Sequence, residues 1–283
     1  MRFSWLLTAA LFWFQTGGLF SATVIEDFNY PAATFGTIHN GGSGWNGAWG
    51  AGSGVTSTLR VRAENLSYTG GGYSISQTGT GLISSVYDQA FRGINRDIAT
   101  PMSGTVYFSV LLSSTGAMDR SGIQFNNPRT AALDYNSSSF YVALNGSSLE
   151  VAWGNASLPT TAANSLALNS AHLIVGRIDI GAGNDALQLW VDSTNLADPG
   201  TPTYTVTGAD LGADLFRAGV FAYGTSVSDL DYGRVDALRI SDGNGDSSAA
   251  YLAVTGVNLV PEPQRAVLSL AALCMACFRR RRR

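Results

Sequence analysis

Lysine is absent from this chain, and cysteine and charged residues are scarce. All 17 basic residues are arginines, 13% of the 283 residues are charged, and the two cysteines, Cys274 and Cys277, lie among the last ten residues. A charged fraction of ~25% is usual in soluble domains. A disulfide framework is therefore excluded for the main body. A nucleic-acid binder is disfavoured because no basic stripe runs along the interior of the chain.

Apolar, aromatic and glycine residues are plentiful instead. Hydrophobic residues make up 45% of the chain, aromatic residues make up 11%, and there are 33 glycines. Burial of that much apolar surface can offset the entropy lost on folding, which disfavours a disordered chain. The length fits one large β domain or two small domains, and it is long enough for a sizeable core.

The N-terminus predicts a secretory signal peptide over residues 1–22. Arg2 precedes an apolar stretch at residues 5–14, which is too short to span a bilayer. The small pair Ser21 and Ala22 offers a cleavage point after that stretch. We therefore expect the chain to be exported.

The C-terminus predicts a short membrane anchor within residues 258–283. An apolar run at residues 266–278 contains 13 residues and is followed by five arginines. As a helix, this run would cover about 20 Å, which is less than the ~30 Å hydrocarbon core of a bilayer. Arginine side chains can extend toward the interface to make up length, and the cluster is expected on the cytoplasmic side.

The same tail resembles the PEP-CTERM protein-sorting signal, with a Pro-Glu-Pro triplet, a short apolar segment and a terminal arginine cluster in that order. The resemblance implies that an exosortase recognises the tail, cleaves near the triplet and passes the protein to the cell surface or matrix. Arg265 departs from the pattern, and the apolar segment is short for the family. The residues implied as the sorting signal are Pro261, Glu262, Pro263, Arg279, Arg280, Arg281, Arg282 and Arg283.

Between residues 23 and 257 the pattern is typical of an all-β sandwich. Short runs rich in Val, Ile, Tyr, Phe and Thr are separated by Gly, Asn, Asp and Ser clusters. Alternation predicts that Leu187, Leu189 and Val191 face the core and that Trp190 lies on the opposite face. A short helix is expected at residues 209–216, and residues 242–251 are expected to form a tether. The clearest predicted strands are residues 104–112, 139–144, 172–180, 186–192, 218–223 and 234–240.

This body resembles the LamG-like, concanavalin-like jelly-roll domains found on many PEP-CTERM proteins. The resemblance covers residues 24–242, and it implies two packed antiparallel sheets in one domain over residues 23–257. Ala237 departs from the family pattern because it stands where an acidic residue is usual. The matching segments are residues 26–30, 41–49, 104–109, 189–192 and 236–240.

Catalytic pairs of carboxylates are hard to find in this body. A retaining glycoside hydrolase needs two carboxylates about 5.5 Å apart. The three glutamates before the tail are Glu26, Glu64 and Glu150. None of them lies within four residues of another, whereas Asp229 and Asp231 share one strand face and Asp236 follows nearby. An acidic loop is the commoner explanation of those aspartates, so we expect no enzymatic activity.

Three tryptophans are candidates for stacking on sugar rings. Trp45 and Trp49 lie in a glycine-rich segment, and Trp190 lies on a predicted strand. Flat aromatic faces near Asn and Asp side chains can hold sugars, but tryptophan more often packs in a core. Packing is therefore favoured for each of the three, and glycan stacking is the alternative.

Two patterns suggest metal or redox chemistry. Asp242, Asn244 and Asp246 have the spacing that opens a calcium loop, but Ser247 stands where glycine is expected at the sixth position. A flexible polar tether is the favoured interpretation, so no cofactor is expected and calcium is the alternative. The pair Cys274 and Cys277 has CxxC spacing but lies in the apolar run, where it is interpreted as membrane filler.

Together these features predict an exported bacterial cell-surface or extracellular-matrix protein that passes through an inner-membrane-anchored precursor. Its partners would be the export machinery, an exosortase and, for an adhesive role, exopolysaccharide. The alternatives are a carbohydrate-binding module and a polysaccharide-cleaving glycoside hydrolase or lyase. Residues 23–262 contain 20 acidic residues and 10 arginines, so the body carries a net charge of −10 (10 − 20), which favours solubility.

Overall fold

The computed structural model describes residues 22–31, 39–51, 59–75, 82–85, 88–116, 120–126, 140–153, 160–163, 165–224 and 233–260. These residues form fifteen β-strands, a 3₁₀ turn and one α-helix, α1 (Ser247–Thr255). The strands are β1 (Thr23–Glu26), β2 (Trp45–Ala51), β3 (Leu59–Arg62), β4 (Leu82–Ser85), β5 (Asp88–Met102), β6 (Gly104–Ser114), β7 (Arg120–Phe125), β8 (Phe140–Asn145), β9 (Ser148–Trp153), β10 (Thr160–Ala163), β11 (His172–Ile180), β12 (Asp185–Val191), β13 (Tyr204–Ala209), β14 (Leu215–Gly224) and β15 (Gly233–Ser241).

The strands form two antiparallel sheets. The eight-stranded sheet has the order β13-β12-β11-β6-β15-β4-β3, with β1 paired to β15. The seven-stranded sheet has the order β10-β9-β8-β7-β14-β5-β2. The prediction of an all-β jelly-roll sandwich of two antiparallel sheets is confirmed.

The main core lies between the two sheets and follows from the period-2 alternation of the strands. Phe108 and Val110 of β6 are fully buried there, and so are Ile123 and Phe125 of β7. Neighbouring positions in a strand point to opposite faces, so alternate residues of each strand supply this layer. The core is therefore specified by short local patterns that the sequence shows directly.

The predicted strands correspond closely to observed ones, from β6 to β15 along the chain. Leu187 and Leu189 are fully buried in the core between the sheets, and Val191 packs against it, as the alternation predicts. The predicted helix at residues 209–216 is wrong. The chain there leaves β13 and enters β14, because the buried Asp185 carboxylate accepts a hydrogen bond from the Leu211 N–H at 2.6 Å and Gly212 has a positive φ of 91°.

The predicted tether at residues 242–251 is also wrong. Its second half belongs to α1, where the Asp246 carboxylate accepts hydrogen bonds from the Ser248 and Ala249 N–H groups and Gly256 ends the helix at φ 72°. Tyr251 is 1% exposed, and its hydroxyl donates to the Leu196 carbonyl at 2.8 Å. The turn residues before the helix favour a tether when they are considered alone, whereas the helix is stabilised by burial against the sheet.

Helix α1 covers the outer face of the eight-stranded sheet and creates a second hydrophobic cluster. The tyrosine rings of Tyr107 and Tyr251 pack edge-on at 5.2 Å, and the Ser109 hydroxyl donates to the Val254 carbonyl at 2.5 Å. Leu111, Leu173 and other outward-facing residues of this sheet belong to the same buried cluster as Ala250, Tyr251 and Val254 of the helix. Within the described part of the chain, no helix is long and apolar enough to cross a membrane.

Candidate functional site

Glu26, at the end of β1, lies at the centre of a buried polar cluster. Its Oε2 accepts hydrogen bonds from the Tyr30 hydroxyl at 2.9 Å and from the Trp49 Nε1–H at 3.1 Å. Its Oε1 accepts from the Phe28 N–H at 3.0 Å, and Arg96 Nη1 lies 3.4 Å from Oε2. Burial raises the pKa of Glu26, and these four partners oppose that effect.

Arg96 connects this carboxylate to the glycine-rich segment before and within β2. Its Nη1 and Nε donate to the carbonyls of Gly41 and Gly47, each at 2.6 Å, and its Nη2 donates to Asn40 Oδ1 at 2.5 Å. The Arg96 and Glu26 side chains are only 3% and 1% exposed. Since β1 and β5 belong to different sheets, the ion pair joins the two layers of the sandwich.

The glycines of this segment allow the backbone to pass close to β1. Gly42 and Gly44 have φ values of 72° and 79°, which side-chain-bearing residues rarely adopt. A Cβ at Gly42 would lie 2.4 Å from the Ile25 carbonyl oxygen, and one at Gly44 would lie 2.3 Å from that of Thr23. The glycine-rich pattern therefore has a packing role in this cluster.

The three tryptophans that are candidates for glycan stacking differ in how exposed their rings are. Trp49 is fully buried, and Trp190 is 8% exposed in the second hydrophobic cluster, where its Nε1–H donates to the Gly200 carbonyl at 3.0 Å. A buried ring cannot stack on a sugar, so Trp49 and Trp190 are packing residues. Trp45 is partly exposed, lies 5.2 Å from the Trp49 ring and has the Arg96 guanidinium 5.3 Å from its own ring. Glycan stacking stays a prediction for Trp45 alone.

The calcium-loop residues have structural partners. Asp242 Oδ1 accepts a hydrogen bond from the Asn244 N–H at 2.8 Å, and Asp246 Oδ1 caps α1. Asn244 itself has a positive φ of 55°. Over the described ranges, no group of three or more His, Cys, Asp or Glu side chains is placed to hold a metal ion. Calcium binding at these three residues stays a prediction.

Of the aspartates considered for catalysis, only Asp236 lies within the described residues. It is 3% exposed, and its two carboxylate oxygens accept hydrogen bonds from the Leu66 N–H at 2.9 Å and the Ala237 N–H at 2.7 Å. Burial raises the pKa of Asp236 to about 7. Asp229 and Asp231 lie outside the described residues, as do residues 1–21 of the predicted signal peptide and the whole sorting signal from Pro261 to Arg283.

A polar strip on the outer face of the seven-stranded sheet was not found from the sequence. We define it as Asn46, Asp97, Phe216 and Arg217. The strand register places Asp97 beside both Asn46 and Arg217. The neighbouring Ile98 and Ala218 face the core, so Asp97 and Arg217 face outward. The pairing of β14 with β5 is irregular between Leu215 and Arg217, so strict alternation does not extend to Phe216, whose ring lies next to the Arg217 guanidinium.

The strip combines an accessible aromatic ring with charged and amide groups. Arg217 Nε donates to Asp97 Oδ1 at 2.7 Å, and these side chains are 15% and 27% exposed. Phe216 is 37% exposed, with the Arg217 guanidinium carbon 5.2 Å from its ring centroid. Asn46 is exposed. A ring compound with several hydroxyl groups could stack on Phe216 while hydrogen-bonding to the polar members.

The same outer face continues into buried groups toward the middle of the sheet. Gln124 Nε2 donates to Asn95 Oδ1 at 2.6 Å, and the Tyr141 and Phe221 rings pack edge-on at 5.3 Å. All four residues are at most 2% exposed, so they are too buried to contact a ligand directly. A ligand at this face would contact the exposed residues of the strip instead. The sequence indicates the strip only through a local pattern, in which each of two strands has a polar residue next to an apolar one. This pattern does not predict that Asp97 and Arg217, which are 120 positions apart, are neighbours in the sheet.

Comparisons with known proteins give fold-level likeness only. No protein-family model matches the chain, and no curated protein matches it. Among solved structures, the chain is similar to the exoplasmic/lumenal domain of VIP36 in its Ca2+/Man3GlcNAc-bound form, with 10% identity over 57% of this chain and 78% of that one (TM-score 0.39). It is similar to lectin II from Ulex europaeus, with 10% identity over 65% of this chain and 92% of that one (TM-score 0.36). It also spans 16% of a sialidase, with 13% identity over 60% of this chain (TM-score 0.41).

Replacing Arg96 by methionine should lower the free energy of unfolding by about 3–5 kcal/mol, because it leaves the Glu26 charge and several acceptors buried without their partner. Urea denaturation of the purified protein measures this loss. The control is Arg177→Met, since the Arg177–Asp179 pair is 37% and 40% exposed and such pairs contribute about 0–1 kcal/mol. Similar losses in the two variants would contradict the central role of the buried pair.

The domain should be more stable at mildly acidic than at mildly alkaline pH. Asp236, with its pKa raised from 3.8 to about 7, contributes stability that is fully present below 3.8 and is lost as the pH rises through about 7. His172 acts in the same direction above 6.5, because its hydrogen bond to Asp192 raises its pKa. Urea midpoints measured between about pH 5 and pH 8 should therefore fall with rising pH.

The variant Asp236→Asn tests the origin of this pH dependence. The amide keeps an acceptor for one backbone N–H but does not titrate, so the slope of stability against pH should become shallower. A slope that is unchanged in Asp236→Asn, or a wild-type midpoint that rises with pH, would show that Asp236 does not titrate as described.

Proposed function

We propose that this protein is a non-enzymatic, exported bacterial cell-surface or extracellular-matrix protein, processed by an exosortase and acting in a structural or adhesive role. The observation that supports the proposal is that every described strand and α1 lie between the two predicted sorting segments. Strand β1 starts at Thr23, directly after the predicted signal peptide. The Val260 N–H donates to the Ala197 carbonyl at 2.8 Å, one residue before Pro261 of the sorting triplet.

Both sorting segments therefore lie outside the described fold. Cleavage after residue 22 and near the triplet would leave every described strand and α1 in the product. The arginines at the two ends would be removed with these segments, and the product would be the acidic body. A strongly acidic, lysine-free domain would stay soluble outside the cell without disulfides.

Processing predicts a change in mass that depends on the sorting triplet. In cells that contain an exosortase, the mature protein should lack the tail, and Glu262→Ala should accumulate as an uncleaved precursor. Intact mass spectrometry of the cell-surface and membrane fractions measures both species. The control Asp198→Ala changes an exposed acidic residue near the end of the fold and should be processed normally. A wild-type mature form that retains residues 261–283 would contradict the processing proposal.

A second candidate function, favoured by the polar strip, is carbohydrate binding by the exported domain. Phe216 offers an accessible ring, and Asn46, Asp97 and Arg217 offer donors and acceptors around it. Sugars present an apolar ring face with hydroxyl groups at its edges, which suits this combination. Exopolysaccharide in the surrounding matrix would be the ligand.

Glycan-array screening of the domain, followed by affinity measurement for the best polysaccharide, tests this function. Phe216→Ala should weaken binding about tenfold, because an aromatic anchor typically contributes more than 1 kcal/mol. The control is Leu168→Ala, which removes a similarly exposed apolar side chain outside the strip. Binding that is equal in the two variants would exclude the strip as the glycan site, and no binding to any glycan would leave the structural role alone.

A further inference from the structure

We propose that the exposed side of α1 and the segment that follows it lie against the lipid surface while the protein is a membrane-anchored precursor. We call this surface the exit face and define it by Ser248, Leu252, Asn258 and Val260. This inference rests on the proposed function, because it requires the predicted tail anchor. The new element of the inference is the face of the domain that contacts the membrane.

The first argument is the length of chain between the fold and the anchor. Val260 is held to Ala197 by its backbone hydrogen bond, so the chain leaves the domain at a fixed position. Only residues 261–265 separate it from the apolar run that begins at Ala266. Six peptide units span at most about 20 Å, and the prolines at 261 and 263 restrict the number of conformations available to them. The point of exit must therefore stay close to the lipid surface.

The second argument is the position of exposed apolar side chains. Four large hydrophobic side chains among the described residues are exposed, and two of them are Leu252, at 39%, and Val260, at 60%. Both lie within the last nine described residues, beside the point of exit. The Tyr251 hydroxyl and the Val260 N–H bind the adjacent carbonyls of Leu196 and Ala197, which holds the helix and the exit segment together.

The third argument is charge. The body has a net charge of −10, yet residues 247–260 contain no charged residue. Bacterial membranes expose anionic lipids, which repel acidic protein surfaces. The four residues of the exit face carry no charge, and the exposed carboxylates of Asp246 and Asp198 lie at its edge. Such a face can approach the lipid surface at a lower electrostatic cost than the rest of the domain. Leu252 and Val260 would then gain from partial burial at the interface.

Site-specific fluorescence quenching by nitroxide-labelled lipids tests this orientation. The full chain, with Cys274→Ala and Cys277→Ala, is reconstituted into vesicles of phosphatidylethanolamine and phosphatidylglycerol. A bimane label is attached at Leu252→Cys or, as the control, at Thr161→Cys. Thr161 is exposed on β10 and is paired with Glu150 on the outer face of the other sheet. The two sheets and the helix layer place it about 20 Å from the exit face.

Loss of bimane fluorescence at position 252 with retention at position 161 is the expected result. Equal quenching at the two positions, or stronger quenching at 161, would overturn the proposed orientation. Flotation of the same vesicles on a density gradient separates this outcome from failure of the anchor. If the chains float but the label is quenched equally at positions 252 and 161, only the proposed orientation is contradicted. If the chains do not float, the anchored precursor itself is contradicted. Circular dichroism of each labelled chain identifies a variant that has not folded, and Val260→Cys then replaces Leu252→Cys.

Discussion

The buried pair of Glu26 and Arg96 is the interaction on which the rest of the structure depends. Taking two charges out of water is costly, and their mutual attraction compensates only when hydrogen bonds satisfy the remaining donors and acceptors. Here Tyr30, Trp49 and the carbonyls of Gly41 and Gly47 supply those bonds. The pair thereby specifies a single arrangement of β1, β5 and the glycine-rich segment, and it positions the partly exposed Trp45 ring beside them.

The described part of the chain contains one α-helix, α1, and it lies on the outer face of the eight-stranded sheet, so the two outer faces differ in what the described residues place on them. On the eight-stranded sheet, α1 and outward-facing apolar side chains, Trp190 among them, form a second buried cluster, and the chain leaves the domain from this side at Val260. On the seven-stranded sheet, the outward residues include the polar strip and the buried amides next to it. Under our proposals, the helical side would face the membrane in the precursor, and the opposite side would meet polysaccharide after release. The same fold would thus serve anchoring and adhesion with separate surfaces.

Much of the fold could be predicted because its strands have strong local patterns. The alternation around Leu187 and Leu189 identifies the core face of β12, which pairs with its sequence neighbour β11 across the short connection at residues 181–184. The helix α1 was missed because its turn-forming start, Asp242 to Asp246, is typical of a tether when neighbours in space are unknown. The segment at residues 209–216 was misassigned for a related reason, since the Asp185 carboxylate that directs it lies far away in the sequence.

The sequence by itself determined the class of fold and the predicted segments at its ends, because alternation, apolar runs and turn residues act over a few neighbouring positions. Tertiary structure alone decided which polar and aromatic residues are accessible. Trp190 is on the face that alternation predicts, yet it is buried in a second cluster and donates to the Gly200 carbonyl, and neither contact can be inferred from alternation. Asp97 and Arg217 become neighbours only through strand pairing across 120 positions. Local patterns carry no information about such distant partners, and the candidate site is built from them.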